Sequence, residues 1–229
     1  LTLYTMKVVY LLPKMIEAGS REVEDDWSMV VDVTDNLDSI VAPYACKDIE
    51  RMENSYGKYI RATYMIDIIQ DRKSCSVDEA LRILKEDNDK QGEYYEVKLK
   101  DIENNLPNSD EKEFDKNDFR EMLEFFPEND YFDMFVHVLE KSNLGASQYR
   151  YLREFIDAVS MKNSSSMLMA DSRSKRHPRR GALGSKLLET MVQLLVLKEK
   201  PNGGYETRSL SIDELASAIR ERYGLIING

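Results

Sequence analysis

The sequence predicts a mainly α protein, a bundle-like helical body with minor β structure. Three observations predict it. Apolar residues recur at three- and four-residue steps through most of the chain, the spacing of helices buried on one face. Two S-x-x-E capping boxes, Ser76 with Glu79 and Ser211 with Glu214, mark helix starts. Gly and Pro together make up 16 of 229 residues, so few breakers interrupt these periods.

In chain order, Leu3, Met6, Val9 and Tyr10 open the first helix, and Pro13 is expected to bend or end it. Trp27, Val30, Val31 and Val33 form a short apolar patch bounded by Asn36, compatible with strand or helix. Residues 47–72 read as one long helix, with Ile49, Met52, Tyr56, Ile60, Tyr64 and Ile68 on its apolar face. Ser76 caps the next helix, whose buried face is Ala80, Leu81 and Leu84. EYYEVK at 93–98, just after Gly92, is the best strand candidate of the first half, with helix competing. A polar loop at 104–115 contains Pro107. Helices over 118–126, 130–141 and 146–161 follow, separated by Pro127 and by Ser142-Asn143-Leu144-Gly145, and such short loops favour antiparallel packing. After a polar break at 163–166, residues 187–198 form a strongly apolar helix. Pro201-Asn202-Gly203-Gly204 is a turn before a short strand at 205–210. Ser211 opens a last helix through Tyr223, Gly224 suits its C-terminal cap, and an apolar LII follows. The domains expected are an acidic helical body at 1–162, a basic elbow or linker at 163–184, and a C-terminal segment at 185–229.

No run reaches the roughly 18 apolar residues of a membrane span, and the LTLYTMKVVYLL start lacks the basic region and cleavage site of a signal peptide. A soluble, cytoplasmic chain is therefore expected. Both ends read as cut from a larger polypeptide. Two Cys and two His (Cys46, Cys75, His137, His177) do not suit a disulfide-stapled domain or a Cys/His zinc cage. No cofactor-binding motif is present, and no cofactor is expected.

Charge is unevenly spread. Residues 172–229 hold 11 Lys/Arg against 6 Asp/Glu, a balance of +5 that leaves −15 on residues 1–171 of a chain with net −10. Acidity is densest over 101–133, with 12 acidic and 3 basic residues. Against this background Arg173, Lys175, Arg176, Arg179, Arg180 and Lys186 fall within 15 residues that contain no acid. Pro178 prevents a regular helix there, and Gly181 and Gly184 loosen the backbone before the next helix, which Ser185 is placed to cap. Arginine pairs with phosphate oxygens in a planar, two-point fashion. Nucleic acid or another anion is thus one expected partner of this elbow, and neutralisation of the chain's own acidic body is the competing use. Gly184-Ser185-Lys186 is not a phosphate-binding P-loop, because its residues are in the wrong order. The GALG at 181–184 lacks the preceding helix that a KH loop needs.

The last 45 residues, a helix, a turn with a strand, and a capped helix ending in LII, resemble part of a winged-helix or helix-turn-helix module. That resemblance implies a DNA-binding regulator or a protein-contact module. No recognition helix follows within the sequence, which counts against direct base reading. The helical body, basic elbow and this segment together are similar to accessory components of bacterial phage-defence systems.

Catalytic signatures H-E-x-x-H, G-x-S-x-G, H-x-H and C-x-x-C are missing. His137 reads as a boundary residue of an amphipathic helix, and the two Cys as structural thiols. Asp32 with Asp35, or Asp67 with Asp71, are the pairs from which a Mg²⁺-dependent enzyme site would be assembled. The leading expectation is a non-catalytic helical subunit of a larger assembly. It contacts other protein subunits and offers the 173–186 elbow to nucleic acid or another anionic partner. A DNA-binding regulator, an acidic-site metal enzyme and an oligomeric scaffold that self-associates through the apolar 187–197 face are the alternatives.

Overall fold

A computed structural model of the chain describes residues 1–34, 38–86, 92–108, 114–161, 167–172, 175 and 178–227. Among them the fold is mainly α. The order is α1 (Thr2–Ala18), β1 (Met29–Val31), α2 (Ala42–Lys73), α3 (Val77–Glu86), α4 (Glu93–Asn105), α5 (Lys116–Leu123), α6 (Tyr131–Lys141), α7 (Asn143–Ser160), β2 (Met169–Ala170), β3 (Arg180–Gly181), α8 (Ser185–Val196), β4 (Leu197–Glu199), β5 (Tyr205–Thr207), α9 (Ile212–Tyr223) and β6 (Leu225–Ile227). No helix among the described residues is long and apolar enough to cross a membrane.

The predicted periods and caps form as expected in most places. Along α2, Ala45, Ile49, Met52, Tyr56 and Ile60 are buried at three- and four-residue steps. The Ser76 hydroxyl accepts from the Glu79 N–H while the Glu79 carboxylate accepts from the Ser76 N–H. Ser211 and Glu214 repeat that exchange at the start of α9. At its end Gly224 adopts φ +70°, and a Cβ there would lie 2.6 Å from the Trp27 ring, so only glycine fits.

Four local expectations are corrected. Pro13 does not end α1 but lies inside it, because Leu12, Met15 and Ile16 on either side of it pack on a hydrophobic core that outweighs the lost hydrogen bond. EYYEVK is helical within α4. Tyr95 and Leu99 bury one face, and the Tyr95 ring meets Phe132 edge-on at 5.1 Å, so tertiary packing overrides β propensity. The loop expected at 142–145 shrinks to a tight junction, with α7 starting at Asn143. There a Cβ on Gly145 would sit 2.2 Å from the Glu140 carbonyl oxygen. Finally, Gly184 rather than Ser185 occupies the cap position of α8 and supplies no side-chain bond.

The chain divides into two units. Unit 2 comprises 11–24 and 57–150. Its core is built from Ile60, Ile66, Ile69, Leu81, Leu84, Tyr95, Phe132 and Val136. Arg61 on α2 ties α6 to it through Asp133 at 2.6 Å and Glu140 at 3.4 Å.

Unit 1 comprises 1–10, 25–56 and 151–229. β1 runs parallel to β6, with Met29 opposite Leu225 and Val31 opposite Ile227. β2 and β3 are antiparallel. A bridge between Asp32 and Ala182 joins these two ladders, through Asp32 N–H to the Gly181 carbonyl and Leu183 N–H to the Asp32 carbonyl. The backbones approach so closely here that a Cβ on Gly181 would stand 2.4 Å from the Val30 carbonyl oxygen. β4 and β5 form a hairpin between α8 and α9, with Glu199 opposite Tyr205. The two C-terminal helices are thus separated by a ribbon, not by the short turn of a helix-turn-helix motif.

Candidate functional site

The basic elbow belongs to unit 1, where it contributes β3 and leads into α8. Consecutive residues of an extended segment point to opposite sides, so Arg179 and Arg180 diverge. Arg179 donates from Nη1 to Glu53 on α2 and from Nη2 to Asp157 on α7, with Met161 Sδ 3.5 Å away. Its side chain is 12% exposed, and its Nε lies 3.9 Å from Asp171. Burial on its own would lower the Arg179 pKa. Hydrogen bonds to Asp157 and Glu53, together with their charges, outweigh burial and raise it.

Arg180 is more deeply placed, at 1% exposure. Its Nε is 4.0 Å from Oδ2 of Asp32, itself buried where β1 ends. The other carboxylate oxygen of Asp32 accepts from the N–H and the hydroxyl of Thr34. Opposite charges placed together are the condition under which an arginine can be buried at all. Cys46 is close by, with its Sγ 3.9 Å from the Pro178 carbonyl. Burial pushes this thiol up, and the Arg180 charge opposes the shift.

Of the six cations singled out in the sequence, Arg179 and Arg180 therefore turn into unit 1 and engage its own carboxylates. Lys175 and Lys186 are exposed. Lys186 lies in the first turn of α8, where N–H groups and the helix dipole favour negative charge. Arg173 and Arg176 lie outside the described residues, as do His177, Asp35 and the polar break at 163–166. Asp67 and Asp71, the other carboxylate pair, sit on α2 in unit 2. Burial, and secondarily the Asp71 charge, pushes the Asp67 carboxyl up. Among the described residues no group of three or more His, Cys, Asp or Glu is arranged to hold a metal ion.

The exposure of the β4–β5 hairpin was not foreseen in the sequence, whereas the apolar character of the helix before it was. The hairpin is exposed along both strands. Leu197 and Tyr205 share a face of it by register, and Tyr205 is 68% exposed. Leu194, on the outer side of α8, is 49% exposed, while Met191 and Leu195 are buried. The signal was the run LLETMVQLLVL, which carries more apolar residues than one buried helix face requires.

A protein-family model described as "Methylation-associated defense system protein MAD7" matches residues 1–229. No curated protein and no solved structure matches the chain.

Proposed function

The chain belongs to the family of methylation-associated defense system protein MAD7, and we propose that it serves its defence system as a contact subunit, by binding rather than catalysis. The observation that carries this reading is the apolar surface of α8 and the hairpin. Leu194, Leu197 and Tyr205 are exposed, whereas Met191 and Leu195 of α8 are buried. Exposed aromatic and aliphatic side chains grouped on one surface are the anchors of protein interfaces. The test is to co-express the full chain with the other proteins of its defence system. Leu194→Glu combined with Tyr205→Glu, both at exposed positions, is expected to abolish co-elution while leaving the circular-dichroism spectrum intact. Undiminished co-elution would overturn the reading.

A second reading rests on the elbow. Lys175 and Lys186, exposed, together with Arg173 and Arg176, supply four cations for a phosphate-bearing partner such as nucleic acid. Arg179 and Arg180 are excluded from this set because they are already engaged inside unit 1. Changing the four to Ala removes up to four phosphate contacts. The dependence of DNA affinity on salt should then flatten by roughly 3–4 units. An unaltered slope removes the elbow from nucleic-acid binding.

A further inference from the structure

Unit 2 carries a surface that neither reading uses. Helices α4, α5 and α6 leave two adjoining grooves of about 300 and 370 Å³, and Phe119 on α5 lines both. Their walls are apolar. Leu99, Leu123 and Met134 line the first, and Ile102, Met122 and Val138 line the second. Two apolar wells that share Phe119 in their walls suit the anchors of an amphipathic helix, which recur every three or four residues on one face. Phe125, two residues beyond α5, is 91% exposed.

The charge around these grooves selects the occupant. Glu96, Glu103 and Glu124 line the first groove. Its two cations are already committed, Lys100 to Glu96 and Arg120 to Glu103. Glu121 is exposed on α5, and the described residues of 101–133 comprise 9 acidic against 2 basic residues. Lys141 lines the second groove, so the excess of negative charge lies beside the first, where Glu124 is exposed in the lining and Glu121 is exposed on α5. A partner here needs apolar anchors for the wells and Lys or Arg on its flanks, and an acidic partner would be repelled.

We infer that the α4–α5–α6 face docks a basic amphipathic helical segment of a protein partner. The inference rests on the reading of the chain as a contact subunit, but it uses another surface and names the chemistry of what binds there.

The experiment uses the full chain and a fluorescent synthetic peptide of about five helical turns. Leucines are placed every three or four residues on one face, with Lys and Arg elsewhere. A matched peptide carries Glu for every Lys and Arg. The basic peptide is expected to bind saturably at low ionic strength and to shift the methyl signals of Met122, Met134 and Val138, whereas the acidic peptide does not bind. Glu121→Lys with Glu124→Lys, both exposed and therefore compatible with folding, should weaken binding about tenfold. Equal binding of the two peptides, failure of the basic one to bind, unchanged affinity in the charge-reversed variant, or shifts confined to other methyl groups would each overturn the inference. So would self-association of the chain that is abolished by Met122→Glu, because the occupant would then be a second copy. The peptide assay reads unit 2, while co-elution of the Leu194→Glu, Tyr205→Glu variant reads unit 1. The two proposals therefore fail separately.

Discussion

Replacing Arg179 with Ala separates an arginine that anchors the elbow from one that serves an external anion. In the structure its guanidinium joins Glu53 and Asp157, on two different helices of unit 1. A charge-assisted hydrogen bond contributes about 1.5–3 kcal/mol when well shielded, and an exposed ion pair 1 kcal/mol at most. Arg179 is 12% exposed, but its partners are 29% and 26% exposed, so each bond falls between those limits. Removing both, and leaving two carboxylates facing the vacated space, should cost about 2–3 kcal/mol. The assay is urea unfolding followed by tryptophan fluorescence. Trp27 is the single tryptophan of the chain and is buried in unit 1, so its signal reports that unit. With m near 2–3 kcal/mol per molar, the midpoint should fall by about 1 M. Lys186→Ala, at an exposed position, is the control and should stay within about 0.5 kcal/mol of the wild type. If the Trp27 midpoint of Arg179→Ala moves no further than the control, the arginine is not an internal anchor, and its place among the anion contacts must be restored.

Two further outcomes follow from the same geometry. Gly181→Ala places a Cβ 2.4 Å from the Val30 carbonyl oxygen and 3.3 Å from a Val31 methyl group. It should destabilise unit 1 by about 1–3 kcal/mol in the same fluorescence assay, and an unmoved midpoint would mean that β1 and β3 are not so closely apposed. In unit 2, burial holds the His137 imidazole below its ordinary value of 6.5, with the Glu140 charge opposing and Lys141 and Arg61 assisting. The folded state then binds fewer protons than the unfolded one, so stability rises with pH up to 6.5 and is lost as the pH falls below it. His137→Gln should flatten that slope in thermal melts, and parallel wild-type and variant profiles would contradict it.

Much of the fold was legible because its signals are local. The Ser76–Glu79 and Ser211–Glu214 boxes, the apolar period of α2 and the glycine after α9 act within a few residues of themselves, and each appears where the sequence placed it. The misreadings share one cause. EYYEVK has strand-forming composition, and only the burial of Tyr95 against Phe132, far along the chain, makes it helical. Pro13 carries a breaker's chemistry but lies in a helix held by its packing. Spacing within one segment also cannot show that Asp32 is turned toward Arg180 and Thr34.

The elbow shows why a cluster of like charges in sequence need not form a cluster in space. Its cations were grouped because they are neighbours along the chain, yet Arg179 finds Glu53 across 126 residues of sequence. The extended backbone at β3 sends adjacent side chains to opposite sides, and here both sides are covered. An arginine pair on such a segment has nowhere to go but inward, where it requires carboxylates and receives them from α2, α7 and the end of β1. Segments that follow β3 lack this constraint. Lys186, on the first turn of a helix, is exposed. The two inward arginines thereby fix the C-terminal end of the elbow to unit 1, and any anion contact it makes must be drawn from the cations before Pro178 and from Lys186. The Arg179→Ala variant and the four-alanine variant of Arg173, Lys175, Arg176 and Lys186 should consequently be complementary, the first losing stability and the second losing only salt-dependent binding.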